Sequence, residues 1–405
     1  MVILMLLENP FPADIRVEKE AHSLVKAGFD VLLLCPAQDG QPLEDSFKGI
    51  KIYRFSGGYP DNFFVRKLVL GYQALTFHNI FWSRAIINLM RRRRVDALHV
   101  HDLFLAATSV AVKKKTGIPV VIDLHENYPE LLRIRFKISQ LSRKELLLID
   151  PDRWTKHEPK ILQKVDHIIA VVDEAKERLI SLSLSSKKIT VISNAEAYEF
   201  WEDYEVDEEI IKRYKDPFII SYIGGFGPHR GLDCTVKAMR LISHKTPNVK
   251  LLLVGKGGWY GELLERIACE NGVSDRVEFV PWVSTGKVRS YLESTNIGLI
   301  PHNSNPHTET TVPHKLFQYM LFGKPVVVSS CQTLKRIVEE TAAGLVFKSG
   351  EPDDLAEKIL SLYNSPELCR SLGQNGKTAT ISGKYSWNHQ GKLLVNLYNN
   401  LLFER

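Results

Sequence analysis

Long apolar runs are scarce in this 405-residue chain. The first, Val2–Leu7, is stopped by Glu8, too soon for the core of a signal peptide, so it is expected to be a first buried strand. No run reaches the ~20 residues that cross a bilayer. Cysteine is sparse too. Cys35, Cys234, Cys269, Cys331 and Cys369 show no paired spacing, which argues against a disulfide framework or a zinc finger and favours a reducing, cytoplasmic setting. Charge of one sign is not concentrated. A net charge of +6 and a pI near 8.8 suit anionic ligands or an anionic membrane surface, and are too weak to argue for nucleic acid. No metal-binding cluster stands out, so no metal is expected.

What is present is ordinary globular composition, 44% hydrophobic and 25% charged, in a length that suits two domains. Val2–Leu7, a helix from Asp14 to Lys26 stopped by Gly28, and Asp30–Cys35 form one β-loop-α-β unit. The pattern continues with strands at Ala97–Val100, Val120–Asp123, His167–Val171 and Ile189–Ile192, and a helix over Phe104–Lys115. Residues 196–216 are rich in Glu, Asp, Tyr and Lys and read as a linker or a peripheral helix. The alternation then restarts with strands at Phe218–Ile223, Lys250–Val254, Val277–Val280, Ile297–Ile300 and Pro325–Ser329. The expected fold class is α/β, two Rossmann-like doubly wound domains. The first spans 1–196, the second 197–386, and 387–405 is a helix after the second domain closes.

The sharpest segment is Pro313-His314-Lys315-Leu316-Phe317-Gln318-Tyr319-Met320, followed by Gly323-Lys324-Pro325-Val326-Val327-Val328. It reads as a loop, a helix starting near Lys315, a glycine stop and a buried strand. A lysine in the first turn sits at the positive end of the helix dipole and adds nothing to helix stability there, so an anion is its usual justification. The turn Gly224-Gly225-Phe226-Gly227-Pro228-His229-Arg230-Gly231 follows a strand. It offers backbone N–H groups and a fixed cation, chemistry that suits a pyrophosphate, though glycines after a strand are often only a turn.

These segments, with Asp123-Leu124-His125-Glu126, resemble the donor-site signatures of GT-B glycosyltransferases of the family 4 type. The resemblance implies two domains facing each other across a cleft, with the tail helix 387–405 packing back on the first. It implies a nucleotide sugar as co-substrate, no cofactor, and retention of anomeric configuration. Lys315 and Arg230 would hold the diphosphate, with His125 near the transferred sugar as the third catalytic residue. Arg230-Gly231 stands where the family carries Lys-Gly, and Gly225 where it carries an arginine. The two family glutamates, eight residues apart, fall on Thr310 and Gln318, so their charge is missing; Glu309 lies one position away as a substitute. Gln318 is either a ribose contact or a plain surface residue. Gly225, Gly227, Gly255, Gly257, Val283, Glu309, Thr310, Thr311 and Gln318 are the donor-binding candidates, with Gly255, Gly257 and the Pro281-Trp282-Val283 segment near the nucleobase.

In the first half, His125 and Glu126 emerge at the carboxyl edge of a strand. His125 there is either a site residue or a cap on the strand. The first loop, Glu8–Arg16, lacks the Gly-Gly turn that cradles anions in this fold. Asp14 and Arg16 are then the polar contacts to an acceptor, with His101 and Glu126, although Asp14 also suits a helix cap. His99, inside its strand, reads as packing. Residues 62–94 interleave apolar, aromatic and basic side chains and end in Arg91-Arg92-Arg93-Arg94. They form either an ordinary amphipathic helix pair or a face for anionic lipid.

The function expected is transfer of a sugar to a glycan or lipid-linked acceptor in cell-surface polysaccharide assembly. The enzyme would work in the cytoplasm, either free or peripherally bound to the inner face of the plasma membrane. The alternatives are a non-hydrolysing sugar-nucleotide 2-epimerase and a silent sugar-binding or scaffolding relative.

Overall fold

The computed structural model describes residues 1–12, 15–55, 63–138 and 150–403. The chain divides into two compact units, Met1–Ser193 with Gly391–Arg405, and Asn194–Gln390. The sequence reading put the change of domain at 196/197 and the return at 387.

The first unit is built on an eight-stranded sheet. β1 (Val2–Leu6) lies parallel to β2 (Asp30–Pro36) on one side and to β5 (Ala97–His101) on the other. β5 pairs with β6 (Val120–Leu124), then β7 (His167–Ala170) and β8 (Ile189–Val191), all parallel. β5 and β6 are buried along their whole length, as strands covered by helices on both faces must be. The sequence reading missed the edge hairpin β3 (Glu44–Phe47) and β4 (Ile50–Phe55). Its turn, Lys48-Gly49, has positive φ at both residues, the geometry of a tight hairpin. The full strand order is β3-β4-β2-β1-β5-β6-β7-β8.

Helix α1 (Ile15–Lys26) turns Val17, Ala21 and Leu24 onto one face of that sheet. The helix Trp387–Phe403 adds Leu394, Leu397 and Tyr398 to the same core. Helix α2 (Phe63–Thr76) is different: Phe64, Leu68 and Leu75 are each 75% exposed. On the other face of the sheet, α3 (Ile80–Arg92) buries Trp82, Ile86 and Leu89, and α4 (Ala106–Thr116) follows β5.

The second unit carries six parallel strands. They are β9 (Phe218–Ile223), β10 (Val249–Val254), β11 (Val277–Val280), β12 (Ile297–Ile300), β13 (Val326–Ser329) and β14 (Gly344–Phe347). Their order is β11-β10-β9-β12-β13-β14. β14 went unread in the sequence because glycine and a short apolar run mark it weakly. In each sheet the strand order reverses at one place, between β1 and β5 and between β9 and β12. Open α/β sheets bind ligands beyond the carboxyl ends of the strands at that point. Among the described residues no helix is long and apolar enough to cross a membrane. All five cysteines are free thiols.

Candidate active site

At the reversal point of the second unit, β9 runs into the Gly224–Gly231 turn and β12 into Pro301-His302. The turn leads into the helix Leu232–Lys245. The helix His314–Leu321 starts after Pro313, whose extended backbone delivers the chain into the first turn. Lys315 extends from that turn to the end of β9. Its Nζ lies 3.4 Å from the centre of the Tyr222 ring, a cation–π contact. It also sits against Gly224: a Cβ built there would come within 2.6 Å of Nζ. Gly224 has φ +141°, a backbone that side chains rarely adopt, and the missing side chain is the space the ammonium uses. The Tyr222 hydroxyl donates to the Gly225 carbonyl at 2.9 Å, which pins the ring beneath the lysine.

Arg230 closes the group. Its Nη1 donates to His302 Nε2 at 3.1 Å. Burial holds His302 well below its usual pKa, and the Arg230 and Lys315 cations push it further down, so the ring is neutral and can accept. Burial likewise depresses Lys315 well below an ordinary lysine, with Arg230 adding to the effect. A buried lysine whose charge is disfavoured by burial and by a neighbouring guanidinium is a group whose protonated form an anion stabilises.

The other donor candidates separate. Gly225 is open, and a side-chain Cβ placed there would meet nothing within 4 Å; Gly227 is extended with His229 beside it. A Cβ at Gly255 would run into the Gly224 carbonyl oxygen, so the turns after β9 and β10 pack backbone to backbone. Gly257 precedes the helix Gly258–Glu270 and lies against Phe226. Val283 is half-buried after β11, beside a largely exposed Trp282. Thr310 and Thr311 donate their hydroxyls to carbonyls of their own loop, Pro306 at 3.0 Å and His307 at 3.1 Å. Glu309 is not placed as a substitute ribose ligand. Its carboxylate takes Gln332 N–H at 2.5 Å and the Ser304 hydroxyl, capping the helix Gln332–Thr341, whose own N-cap Cys331 makes no side-chain cap. Gln318 donates to Glu196 Oε1 at 3.5 Å, and His314 Nδ1 lies 3.2 Å from the same oxygen. Sequence reasoning missed Glu196 and Tyr222; neither stands in a motif.

At the reversal point of the first unit the ends of β5 and β6 carry a polar network. Arg16 is buried, which corrects its reading as an acceptor contact. Its guanidinium grips Asp123 with two bonds, 3.0 Å from Nε to Oδ2 and 2.9 Å from Nη2 to Oδ1, and lies 3.0 Å from Glu20. His99, expected to be packing, is buried but polar. Its Nδ1 is 2.7 Å from the Tyr398 hydroxyl and its Nε2 3.3 Å from Glu20. His101 is also buried, 3.2 Å from His125 through Nδ1, and burial followed by the His99 charge lowers its pKa to about 4. Neither His101 nor Arg16 presents an edge to solvent.

His125 is the network's outlet. Its Nε2 lies 2.9 Å from Asp123 Oδ2, and its backbone N–H donates to Asp102 Oδ1 at 3.3 Å. Burial pulls its pKa down, but Asp102 and Asp123 overcome this and raise it to about 10. Asp102 is raised to about 6 by burial, against the pull of His125. Glu8, after β1, is raised to about 7 by burial and by Asp102. Glu126 is half-buried, and one of its carboxylate oxygens has no hydrogen-bond partner among the described residues. Asp14 lies outside the described residues.

Two points bear on metals. Glu20, His99, His101 and Asp123 place ligand-type atoms within 4.8 Å of one another, a group the sequence hid because α1, β5 and β6 each supply part of it. Arg16 already supplies positive charge to both carboxylates, so the group is an ion-pair network as it stands. Asp150-Pro151-Asp152, an Asp-x-Asp that the sequence reading passed over, starts a helix: Asp150 caps it through the Asp152 N–H at 2.9 Å.

Comparison with known proteins adds a family. The family described as Glycosyltransferase Family 4 matches residues 14–195, and that described as Glycosyl transferases group 1 matches residues 203–379. An uncharacterized glycosyltransferase of Methanocaldococcus jannaschii is 23% identical over 397 residues, covering 93% of this chain and 91% of its own. The capsular polysaccharide biosynthesis glycosyltransferase CapM of Staphylococcus aureus is 24% identical over 244 residues, 58% of this chain and 62% of its own. Among solved structures, Anabaena HepE in complex with UDP-glucose superposes with a TM-score of 0.73 at 15% identity, over 99% of this chain and 100% of that one.

Proposed function

The chain belongs to the GT-B glycosyltransferases of the family 4 type, and from that premise we propose that it moves a sugar from a nucleoside diphosphate sugar to a glycan or lipid-linked acceptor, with retention and without a metal at the diphosphate. The observation that carries this reading is Lys315 over the Tyr222 ring at the end of β9 with Arg230, on a neutral His302 in the turn that follows, near enough for its charge to lower the lysine pKa. UDP-glucose in the Anabaena neighbour supports a donor of that class.

When the anomeric C–O bond breaks, negative charge grows on the leaving diphosphate. In this reading Lys315, Arg230, the open backbone at Gly225 and the first turn of the helix His314–Leu321 stabilise it. The departing phosphate takes the acceptor's proton as the acceptor oxygen attacks the same face, so no separate base is required. The role assigned to His125 is contact with the transferred sugar, and that of Glu126 is acceptor binding. Gly227, Gly255, Gly257 and Val283 surround the nucleoside, with Gln318 and Thr310–Thr311 toward the ribose. No cofactor takes part.

Membrane association belongs to the same proposal. Helix α2 carries Phe64, Leu68, Tyr72 and Leu75 outward beside Arg66 and Lys67, with no acidic residue in its first turn. That combination suits an anionic lipid surface on the cytoplasmic side, where a lipid-linked acceptor would lie. Helix α3, by contrast, is a packing helix, which narrows the lipid face expected over 62–94 to α2. The capsular role of CapM supports a place in cell-surface polysaccharide assembly.

The experiment is a thermal-shift screen against nucleotides and nucleotide sugars, since a ligand that binds only the native form raises the melting temperature. It is followed by nucleotide-release assays with and without acceptor on wild type, Lys315→Ala and Arg230→Ala. Donor-dependent turnover that collapses in both variants is expected. Turnover that ignores both substitutions would overturn the reading, and an epimerised donor formed without acceptor would replace it with the epimerase.

A further inference from the structure

Asp102 stands immediately after β5 with φ +64° and ψ +162°. That region of backbone space is nearly reserved for glycine, and a residue with a side chain stays there only when its surroundings force it. Two bonds do so here. The Asp102 N–H donates to the Asp123 carbonyl at 2.8 Å, and Asp102 Oδ1 accepts the His125 N–H at 3.3 Å. The consequence is a carboxylate that is 39% exposed and lies over a ring that is 15% exposed, with Oδ2 3.9 Å from His125 Nδ1.

We propose that Asp102 is a positioning residue for sugar transfer: its strained backbone holds the carboxylate over the Nδ1 edge of His125, so that the ring, clamped between Asp123 and Asp102, presents a fixed N–H donor to a substrate oxygen and does not act as a base. The proposal rests on the reading above that His125 faces the transferred sugar.

The two edges of the ring differ in a way that fits this role. Nε2 is committed at 2.9 Å to Asp123 Oδ2, which can only accept, with His101 Nδ1 3.2 Å away. Nδ1 has the Asp102 carboxylate at a distance that gives strong Coulomb attraction but is too long for a hydrogen bond. Asp102 therefore stabilises the imidazolium without taking its proton, and no other group among the described residues takes it. The charged groups that bear on the ring are Asp123 on β6, Arg16 on α1 and Asp102, which is itself flanked by Glu126 and Glu8, while His101 on β5 is neutral. With the ring charged at neutral pH, general base catalysis by His125 is closed off.

The test uses Asp102→Asn and Asp102→Gly in the full chain. Asn keeps the shape and tolerates the backbone but removes the charge; Gly also relieves the strain. Both variants should bind UDP as wild type does, because the nucleotide contacts lie on the other unit. Both should lose at least ~10-fold in kcat with little change in donor KM, since a hydrogen-bond donor positioned for the transition state is weakened and not removed. The His125 imidazole, followed by nitrogen NMR and assigned with His125→Asn, should titrate at least about one pH unit lower in both. Asp102→Gly should melt no lower than wild type. Wild-type kcat in Asp102→Asn, or an unmoved His125 midpoint, overturns the proposal; a lower melting temperature for Asp102→Gly overturns the strained-backbone part. If wild type moves no sugar from any donor, the glycosyltransferase reading fails on its own, and the NMR midpoint still decides the clamp.

Discussion

The ammonium of Lys315 rests 3.4 Å from the centre of the Tyr222 ring, in the space left by the missing side chain of Gly224. A lysine held this way is charged at a cost to the fold. In the unfolded chain it titrates at 10.5, and in the fold well below that. The unfolded state therefore binds the proton more tightly, and stability rises with pH between the native pKa and 10.5. Lys315→Met should melt higher than wild type near neutral pH, and the gap should close as the pH approaches the unfolded value. The same variant should lose at least ~100-fold in UDP affinity, two charge-assisted contacts' worth. Calorimetry and melting curves across the pH range check both.

Gly224→Ala tests the space rather than the charge. The added Cβ meets the far end of a flexible side chain, so the lysine moves, but the alanine backbone is strained at φ +141°. UDP affinity should fall about 10-fold, as expected for loss of one charged contact, and the melting temperature should drop through the backbone strain. Gly255→Ala meets backbone instead and should lower the yield of folded protein. Parallel binding and melting measurements on the two variants separate the effects.

Arg16 makes an opposite prediction, for stability. Arg16→Met takes the guanidinium from the buried Asp123 and Glu20 and leaves them only the His125 and His99 rings, and removing one partner of a buried pair costs about 3–5 kcal/mol. Urea unfolding should record a loss of that size. An Arg16→Met protein as stable as wild type would mean that the His125 and His99 rings suffice for the two carboxylates.

The exposed face of α2 should matter to location alone. Replacing Phe64, Leu68 and Leu75 together by Glu should abolish cosedimentation with vesicles rich in anionic lipid. Melting temperature and UDP affinity should stay as they are, because none of the three side chains is in a core.

The two-sheet architecture was legible because buried parallel strands are continuous apolar runs, and because Gly224–Gly231 and Pro313–Met320 sit between a strand and a helix. Lys315 was legible for a physical reason too: helix dipoles do not favour a lysine in a first turn. The hairpin Glu44–Phe55 was not, since its strands are short and half exposed and its turn is Lys-Gly. Arg16 was misread as a ligand contact because a lone arginine after a loop looks solvent-facing. Only the fold reveals that Glu20 and Asp123 converge on it from α1 and β6. Tyr222 hid inside an apolar strand pattern, where an aromatic ring reads as core. Asp102 hid because a sequence does not display φ. Glu309 looked like a replacement for a missing charge and is a helix cap, a role assigned by a helix that begins more than twenty residues later.

The bond between Tyr398 and His99 spans 299 positions of chain. Together with Leu394 and Leu397, Tyr398 covers one side of the sheet that carries His125. During synthesis the ribosome must therefore deliver the whole intervening unit before the first one can bury its last surface. Until then a newly made chain exposes the apolar surface that Leu394, Leu397 and Tyr398 cover.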